Sequence, residues 1–266
     1  MRSSLARRTV LLIAGGLLAS SAAACGGSSE ASSGYKLVND GQLTFAMSGQ
    51  YRPFNYFEKD GKLTGFDVDM GDEIAKKLGL KPNPVTGPFD SLVAGLSSKR
   101  YDVIIGSMSP TPARKKQVDF TNDYYVSGAQ LFVKNDSPIT SVKDLHNATV
   151  GVTLGTTFED FAKTQPGVKN VKTYPSDNQA LTELANGRLD AVITTKLLGL
   201  YQIKAANVQV KPVGNILFPD PAAIASRKDN SKLTAKVNEI LVELKSDGTY
   251  AKLSNKWFGV DISSAK

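Results

Sequence analysis

An α/β fold of two similar lobes is predicted by two observations: strand and helix signals alternate along the chain, and one strand-forming phrase is written twice. The phrase Leu96-Ser97-Ser98-Lys99-Arg100-Tyr101-Asp102-Val103-Ile104-Ile105-Gly106-Ser107 returns as Leu184-Ala185-Asn186-Gly187-Arg188-Leu189-Asp190-Ala191-Val192-Ile193-Thr194-Thr195. A helix end, a polar turn, Arg-x-Asp and a short apolar strand follow in the same order both times. Each copy ends in small hydroxyl or glycine residues, and open α/β sheets bind ligands at the carboxyl ends of their strands. Two such edges facing each other make a cleft. The competing reading is chance recurrence of a common strand-entry phrase.

The chain opens with an export signal over residues 1–24. Arg2, Arg7 and Arg8 precede the apolar run Val10 to Leu18, and small residues lead to Cys25. That run is shorter than the roughly 20 residues a membrane-spanning helix needs. Ala22-Ala23-Ala24-Cys25 resembles the lipobox of bacterial lipoproteins, which implies diacylglycerol on Cys25. An ordinary cleavage site with an idle cysteine is the alternative, and Arg7-Arg8 leaves the export route open between the general and twin-arginine systems. Residues 25–34 are Gly/Ser-rich, as expected of a flexible tether. Cys25 is the single cysteine, so no internal disulfide forms. Three of the +7 formal charges sit on the signal arginines, and the remainder is too mild to imply nucleic acid.

Along the rest, Leu43 to Met47 reads as a strand, and Phe66, Met70, Ile74 and Leu78 mark a helix stopped by Gly79. Phe89, Leu92, Val93 and Leu96 mark a second helix, and Val103-Ile104-Ile105 a buried strand. The pattern then restarts: strand at Ala148 to Val152, helices at Thr156 to Lys163 and Gln179 to Ala185, strand at Ala191 to Ile193. Such alternation predicts parallel sheets covered by helices. Leu233, Val237, Ile240, Leu241 and Leu244 line a long helix, followed by a shorter piece at Tyr250, Leu253 and Trp257.

Chemistry concentrates in the loops after the buried strands. Gly106-Ser107-Met108-Ser109 leads to Arg114 just inside a helix start, where backbone N–H groups, hydroxyls and a planar guanidinium suit a carboxylate. Taken alone, an arginine eight residues after a strand is more often a surface charge. Thr153-Leu154-Gly155-Thr156-Thr157 is a strand end, a glycine turn and a helix start, suited both to an anion and to plain N-capping by Thr156 or Thr157.

Gly65-Phe66-Asp67-Val68-Asp69, Phe89-Asp90-Ser91-Leu92, Thr111-Pro112-Ala113-Arg114 through Asp119-Phe120-Thr121, Tyr124-Tyr125 and Lys256-Trp257-Phe258-Gly259 occur together in order. On these motifs the chain resembles the family-3 solute-binding proteins of ABC importers. The resemblance implies a two-lobed periplasmic-binding-protein (Venus flytrap) fold, each lobe a mostly parallel sheet flanked by helices. Lobe 1 is expected over 35–126 plus 222–266 and lobe 2 over 127–221, with crossovers near 127–133 and 218–225. It implies a monomeric receptor, lipid-anchored to the outer face of the cytoplasmic membrane, that captures a small carboxylate-bearing solute and delivers it to ABC permease subunits, without a cofactor. Arg114 would grip the ligand α-carboxylate, helped by Gly106, Ser107, Ser109, Thr153, Thr156 and Thr157. Tyr51 and Phe89 would cover its apolar body, with Phe54 a lesser candidate.

Two departures from the family pattern stand out. Relatives place an aspartate at the end of the second echoed strand to pair with the ligand ammonium, and this chain has Thr195 there, the tenth residue expected to line the ligand site. Either Glu159 or Asp160 substitutes, or the ligand lacks that group, because an unpartnered buried ammonium costs several kcal/mol. The other departure is Ser48, where some relatives that bind basic or amide side chains carry an aspartate, so a strongly cationic ligand side chain is not expected. The single histidine, His146, excludes a Ser/His/Asp set and argues against a metal site. Two alternatives share the fold: a receptor presenting its ligand to a sensor protein, and a cyclohexadienyl dehydratase-like enzyme using Glu159 or Asp160 as acid.

Overall fold

The computed structural model describes residues 34–263. The predicted export signal and Cys25 lie outside the described residues. Strand β1 (Gln42–Met47) is buried from Leu43 onward and leads into a small antiparallel ribbon of β2 (Gln50–Tyr51), β3 (Asn55–Phe57) and β4 (Leu63–Thr64). Helix α1 (Phe66–Lys77) buries Phe66, Met70 and Ile74, with Asp67 and Asp69 in its first turn and Lys76 and Lys77 in its last, as the helix dipole favours. Gly65 before it has φ 130°, and a Cβ there would lie 2.2 Å from the Phe54 carbonyl oxygen. Then come β5 (Lys81–Thr86), a 3₁₀ turn at Phe89–Ser91, α2 (Leu92–Ser97), β6 (Val103–Met108) and α3 (Pro112–Gln117).

The long strand β7 (Asp119–Lys134) carries the chain across to β8 (Ala148–Thr153), α4 (Thr157–Thr164), β9 (Val168–Tyr174), α5 (Asp177–Ala185), β10 (Ala191–Thr195) and α6 (Lys196–Ala206). An equally long strand, β11 (Val210–Ser226), returns it to α7 (Ser231–Ser246) and α8 (Thr249–Phe258). The sheet order is β5-β1-β6-β11-β7-β10-β8-β9. β1 is parallel to β5 and β6, and β8 is parallel to β9 and β10, so each half has its first strand in the centre. The two parallel triplets flank the antiparallel pair β7–β11, whose register shifts between Val213 and Phe218 and again near Ala222 to Ala225. Bulges of this kind bend and twist a strand, which lets one pair serve both halves.

The crossover strands are therefore longer than expected, and the ladder runs continuously through all eight strands instead of dividing into two sheets. The echoed phrase has a structural counterpart. Asp102 donates its N–H to the Thr44 carbonyl and accepts the Thr44 N–H at 2.8 Å, while Asp190 exchanges the same pair with Thr149, accepting at 2.7 Å. In each half the aspartate thus ties the third strand to the first just before the strand begins. One side of the sheet is covered by α1, α7 and α8 in the first half; in the second, Leu131, Val133, Val150, Val152 and Ile193 pack with Phe158 and Ala162 of α4.

Candidate ligand-binding site

A cavity opens where the carboxyl ends of β6 and β8 meet the crossover pair. Nine of the ten predicted ligand residues line it: Tyr51, Phe89, Gly106, Ser107, Ser109, Arg114, Thr153, Thr156 and Thr157. Ser48, Gln50, Phe158, Pro175, Ser176, Asp177 and Asp220 complete the lining. Thr195 is fully buried elsewhere: its hydroxyl donates to Ser127 Oγ at 2.8 Å. β10 ends at Thr195 and α6 begins at Lys196, and the Thr195 side chain is turned toward Ser127 and is not among the cavity-lining residues.

Arg114 is set by the short helix α3, where Thr111 accepts the Arg114 N–H at 3.3 Å and Pro112 occupies the first turn. Its Nη1 donates to the Ser109 carbonyl and its Nη2 to the Gly155 carbonyl, both at 2.8 Å, and the guanidinium lies 5.4 Å from the Phe89 ring centre. Among the described residues no carboxylate pairs with it directly. Burial lowers its pKa, opposed by the more distant charges of Asp220 and Asp160. The Arg114–Gly155 contact joins the two halves, and glycine is required there: φ is 75°, and a Cβ would lie 2.8 Å from Asp90 Cβ.

Ser107 occupies the left-handed region at φ 56°, a conformation that costs free energy for any residue but glycine. It is held there from behind. Its N–H donates to the Tyr124 hydroxyl at 2.8 Å, its own hydroxyl donates to Asp67 Oδ2 at 3.0 Å, and Tyr124 donates to Asp67 Oδ1 at 2.7 Å. Asn55 Nδ2 donates to Asp67 at 2.6 Å while its Oδ1 accepts from Ser48 and Gly49, so one carboxylate fixes both cavity loops of the first half. Burial raises the Asp67 pKa to about 6 against the pull of these three donors. Gly106 completes the edge, with Met47 Cα only 3.2 Å from where a Cβ would sit.

In the second half, Thr156 caps α4: its hydroxyl accepts the Glu159 N–H at 3.3 Å and donates to the Thr153 carbonyl at 2.7 Å. Glu159, expected as a substitute acid, accepts from the Gly155 N–H at 2.7 Å and pairs with Lys163 at 2.6 Å, and neither it nor Asp160 lines the cavity. Phe54 is fully buried, stacked between Tyr51 and Tyr125 at 4.9 and 5.2 Å, and belongs to the core. His146 is exposed in its loop.

Two buried carboxylates that sequence reasoning missed face the cavity. Asp177 is 3% exposed at the first position of α5, whose cap is Ser176, accepting the Gln179 N–H at 3.3 Å. Asp220, on β11, accepts from Ser109 Oγ at 2.8 Å. Burial first, then the neighbouring Asp177 charge, raise the Asp220 pKa to about 6 against Ser109 and Arg114. Burial raises Asp177 as well. The signals were faint: Ser-Asp before a helix reads as capping, and Asp220 sits between Pro219 and Pro221 as in a turn.

The family model for bacterial extracellular solute-binding proteins, family 3, matches residues 43–260. The chain belongs to this family. Among its relatives, the L-cystine-binding protein TcyJ of Escherichia coli K12 is 36% identical over 230 residues, covering 86% of each chain. The arginine-binding extracellular protein ArtP of Bacillus subtilis is 36% identical over 225 residues, 82% of this chain and 86% of that one. A solved ancestral arginine-binding protein bound to arginine superposes with a TM-score of 0.77 at 42% identity, covering 82% of this chain and 99% of the other. The two parallel triplets and their shared crossover pair are thus the two lobes and hinges of the periplasmic-binding-protein fold, and the protein is a solute-binding receptor. Among the described residues, no helix is long and apolar enough to cross a membrane.

Proposed function

We propose that this receptor captures an amino acid or close derivative between its lobes and delivers it to the permease of an ABC importer. The observation that carries the reading is Arg114: a guanidinium lining the cavity, oriented by two backbone carbonyls and free of any direct carboxylate partner among the described residues. Such a group offers its remaining N–H donors to a planar anion. Ser107, Ser109, Thr156 and Thr157 lie on the same cavity and add hydroxyl and helix-start donors. The names of the relatives, which bind cystine or arginine, support the amino-acid class.

In this reading lobe 1 comprises 35–126 with 222–266, lobe 2 comprises 127–221, and the protein acts as a monomer. Residues 1–24 direct export, Cys25 carries the lipid that holds the receptor at the outer face of the cytoplasmic membrane, and 25–34 form the tether. The receptor is not an enzyme. A solved ancestral amino-acid-binding protein that is a precursor of cyclohexadienyl dehydratase is 36% identical, so the fold can acquire catalysis. Of the two acids that such chemistry was expected to use, Glu159 is spent on Lys163 and the Gly155 N–H, and Asp160 is not among the cavity-lining residues. Calorimetric titration of the protein, unfolded and refolded to remove carried-over ligand, tests the proposal against the twenty amino acids and cystine. Tight one-to-one binding is the expected result, and no binding to any of them overturns it.

A further inference from the structure

An amino-acid ligand brings a carboxylate and an ammonium, and Arg114 answers only the first. Thr195, at the end of the second echoed strand, is buried against Ser127 and is not among the cavity-lining residues. The structure offers another answer. Asp177 lines the cavity, is 3% exposed, and its Oδ1 has no hydrogen-bond partner among the described residues. Buried polar atoms in native proteins are nearly always paired, so an unpaired carboxylate oxygen in a residue that lines a ligand cavity has capacity left for a donor.

Two further hydroxyls share this state. The oxygens of Thr153 and Thr194 are buried without partners, and both lie near enough to Asp177 to favour its charged form without reaching hydrogen-bond geometry. Helix capping does not account for Asp177, because Ser176 already performs it. Asp220 lines the same cavity, and with Oδ1 taken by Ser109 its second oxygen makes no hydrogen bond among the described residues.

We infer that Asp177, together with Asp220 and the Thr153 hydroxyl, forms the ammonium subsite of this receptor. The inference rests on the amino-acid reading above and narrows it to ligands with a free ammonium. An ammonium group has three donors, and this set supplies three acceptors, two of them anionic. Two carboxylates against one guanidinium also leave the empty site with an excess negative charge, which a second cationic group on the ligand neutralises. The subsite therefore favours basic amino acids over neutral ones, contrary to the expectation drawn from Ser48.

The test is calorimetry on the refolded protein and on Asp177→Asn, Asp220→Asn and Thr153→Val, with thermal melts to verify folding. The probes are the tightest-binding amino acid from the panel above and its desamino analogue. The wild type is expected to prefer the amino acid by at least about 100-fold, since a lost charge-assisted bond leaves a buried charge unpaired. Asp177→Asn should remove that preference while leaving the desamino affinity within about threefold, with smaller losses for Asp220→Asn and Thr153→Val. Unchanged amino-acid affinity in folded Asp177→Asn, or wild-type preference for the desamino analogue, overturns the inference and leaves the receptor reading standing. Should Asp177→Asn not fold, unchanged discrimination in both other variants overturns it equally. A wild type that binds no amino acid sinks the receptor reading itself and this inference with it.

Discussion

At the end of β6 the chain presents Gly106 and Ser107 to the cavity, whereas at the end of the echoing β10 it turns into α6 and seals Thr195 against Ser127. The two strands are equivalent as scaffold, since Asp102 and Asp190 tie each to the first strand of its half through the same pair of hydrogen bonds. They are not equivalent as ligand edges. Ser107 is held in a left-handed conformation by a network ending at buried Asp67, whereas among the described residues the Thr195 side chain bonds only to Ser127. The second lobe meets the cavity instead through the end of β8 and the starts of α4 and α5. A repeated sequence thus preserves what the sheet needs and leaves the chemistry free to move.

The strongest way to break this comparison is at Arg114, which the first lobe's edge positions. Arg114→Ala should weaken amino-acid binding by about 1000-fold or more, because a buried carboxylate loses its main partner. Wild-type affinity by calorimetry would refute the site. Next is Asp67→Asn, which turns the oxygen receiving Asn55 Nδ2 and the Ser107 hydroxyl into a donor, or leaves Tyr124 facing one. A loss of about 2–3 kcal/mol in urea denaturation is expected, with weakened binding alongside.

The pH response comes third. Asp67 and Asp220 have folded pKa values of about 6, above the ordinary 3.8, so the folded state takes up protons first as pH falls. The ligand-free protein should therefore gain stability between pH 7 and pH 5, by roughly 1–3 kcal/mol if both contribute. The groups held low, Asp247 at about 2 and Glu159, withdraw their stabilisation only as pH falls below about 4. A melting temperature that falls steadily from pH 7 to pH 5 would contradict this order.

Smaller effects sharpen the scaffold half of the comparison. Asp102 is fully buried and also meets Arg227 at 3.4 Å, while Asp190 is exposed. Asp102→Asn should cost about 1–2 kcal/mol more than Asp190→Asn, and equal costs would mean that burial adds nothing to the shared bond. Smallest of all, Thr195→Val should change affinity by less than about threefold and stability by about 1 kcal/mol, through the Ser127 hydroxyl it orphans. Thr195→Asp should destabilise the fold by burying a charge without tightening binding, read by thermal melts and calorimetry.

Most elements were legible because their burial pattern is written in the residues: β1, α1, β6, β8, α5, β10 and α7 all carry apolar residues at the spacing their faces require. The exceptions have physical reasons. β5 holds Pro82 and Pro84 and lies at a sheet edge, where a missing N–H is tolerated. β9 is the other edge and carries Lys169 and Lys172, so it has no buried face to betray it. Ribbon strands of two or three residues are too short to show any period.

By itself the sequence determined two βαβ units, an arginine behind a small-residue strand end, and a family whose motifs follow in order. Those features are local, set by periodicity, capping and turn chemistry within a few residues. Tertiary structure alone decided which strand ends reach the cavity, that Glu159 is occupied, and that Asp177 and Asp220 stand beside Arg114's cavity. Asp220 comes from a strand more than a hundred residues beyond Ser109, its hydrogen-bond partner. No local rule reports such a pairing, because the burial that raises its pKa and gives it a role exists only once the crossover strands have brought both lobes together.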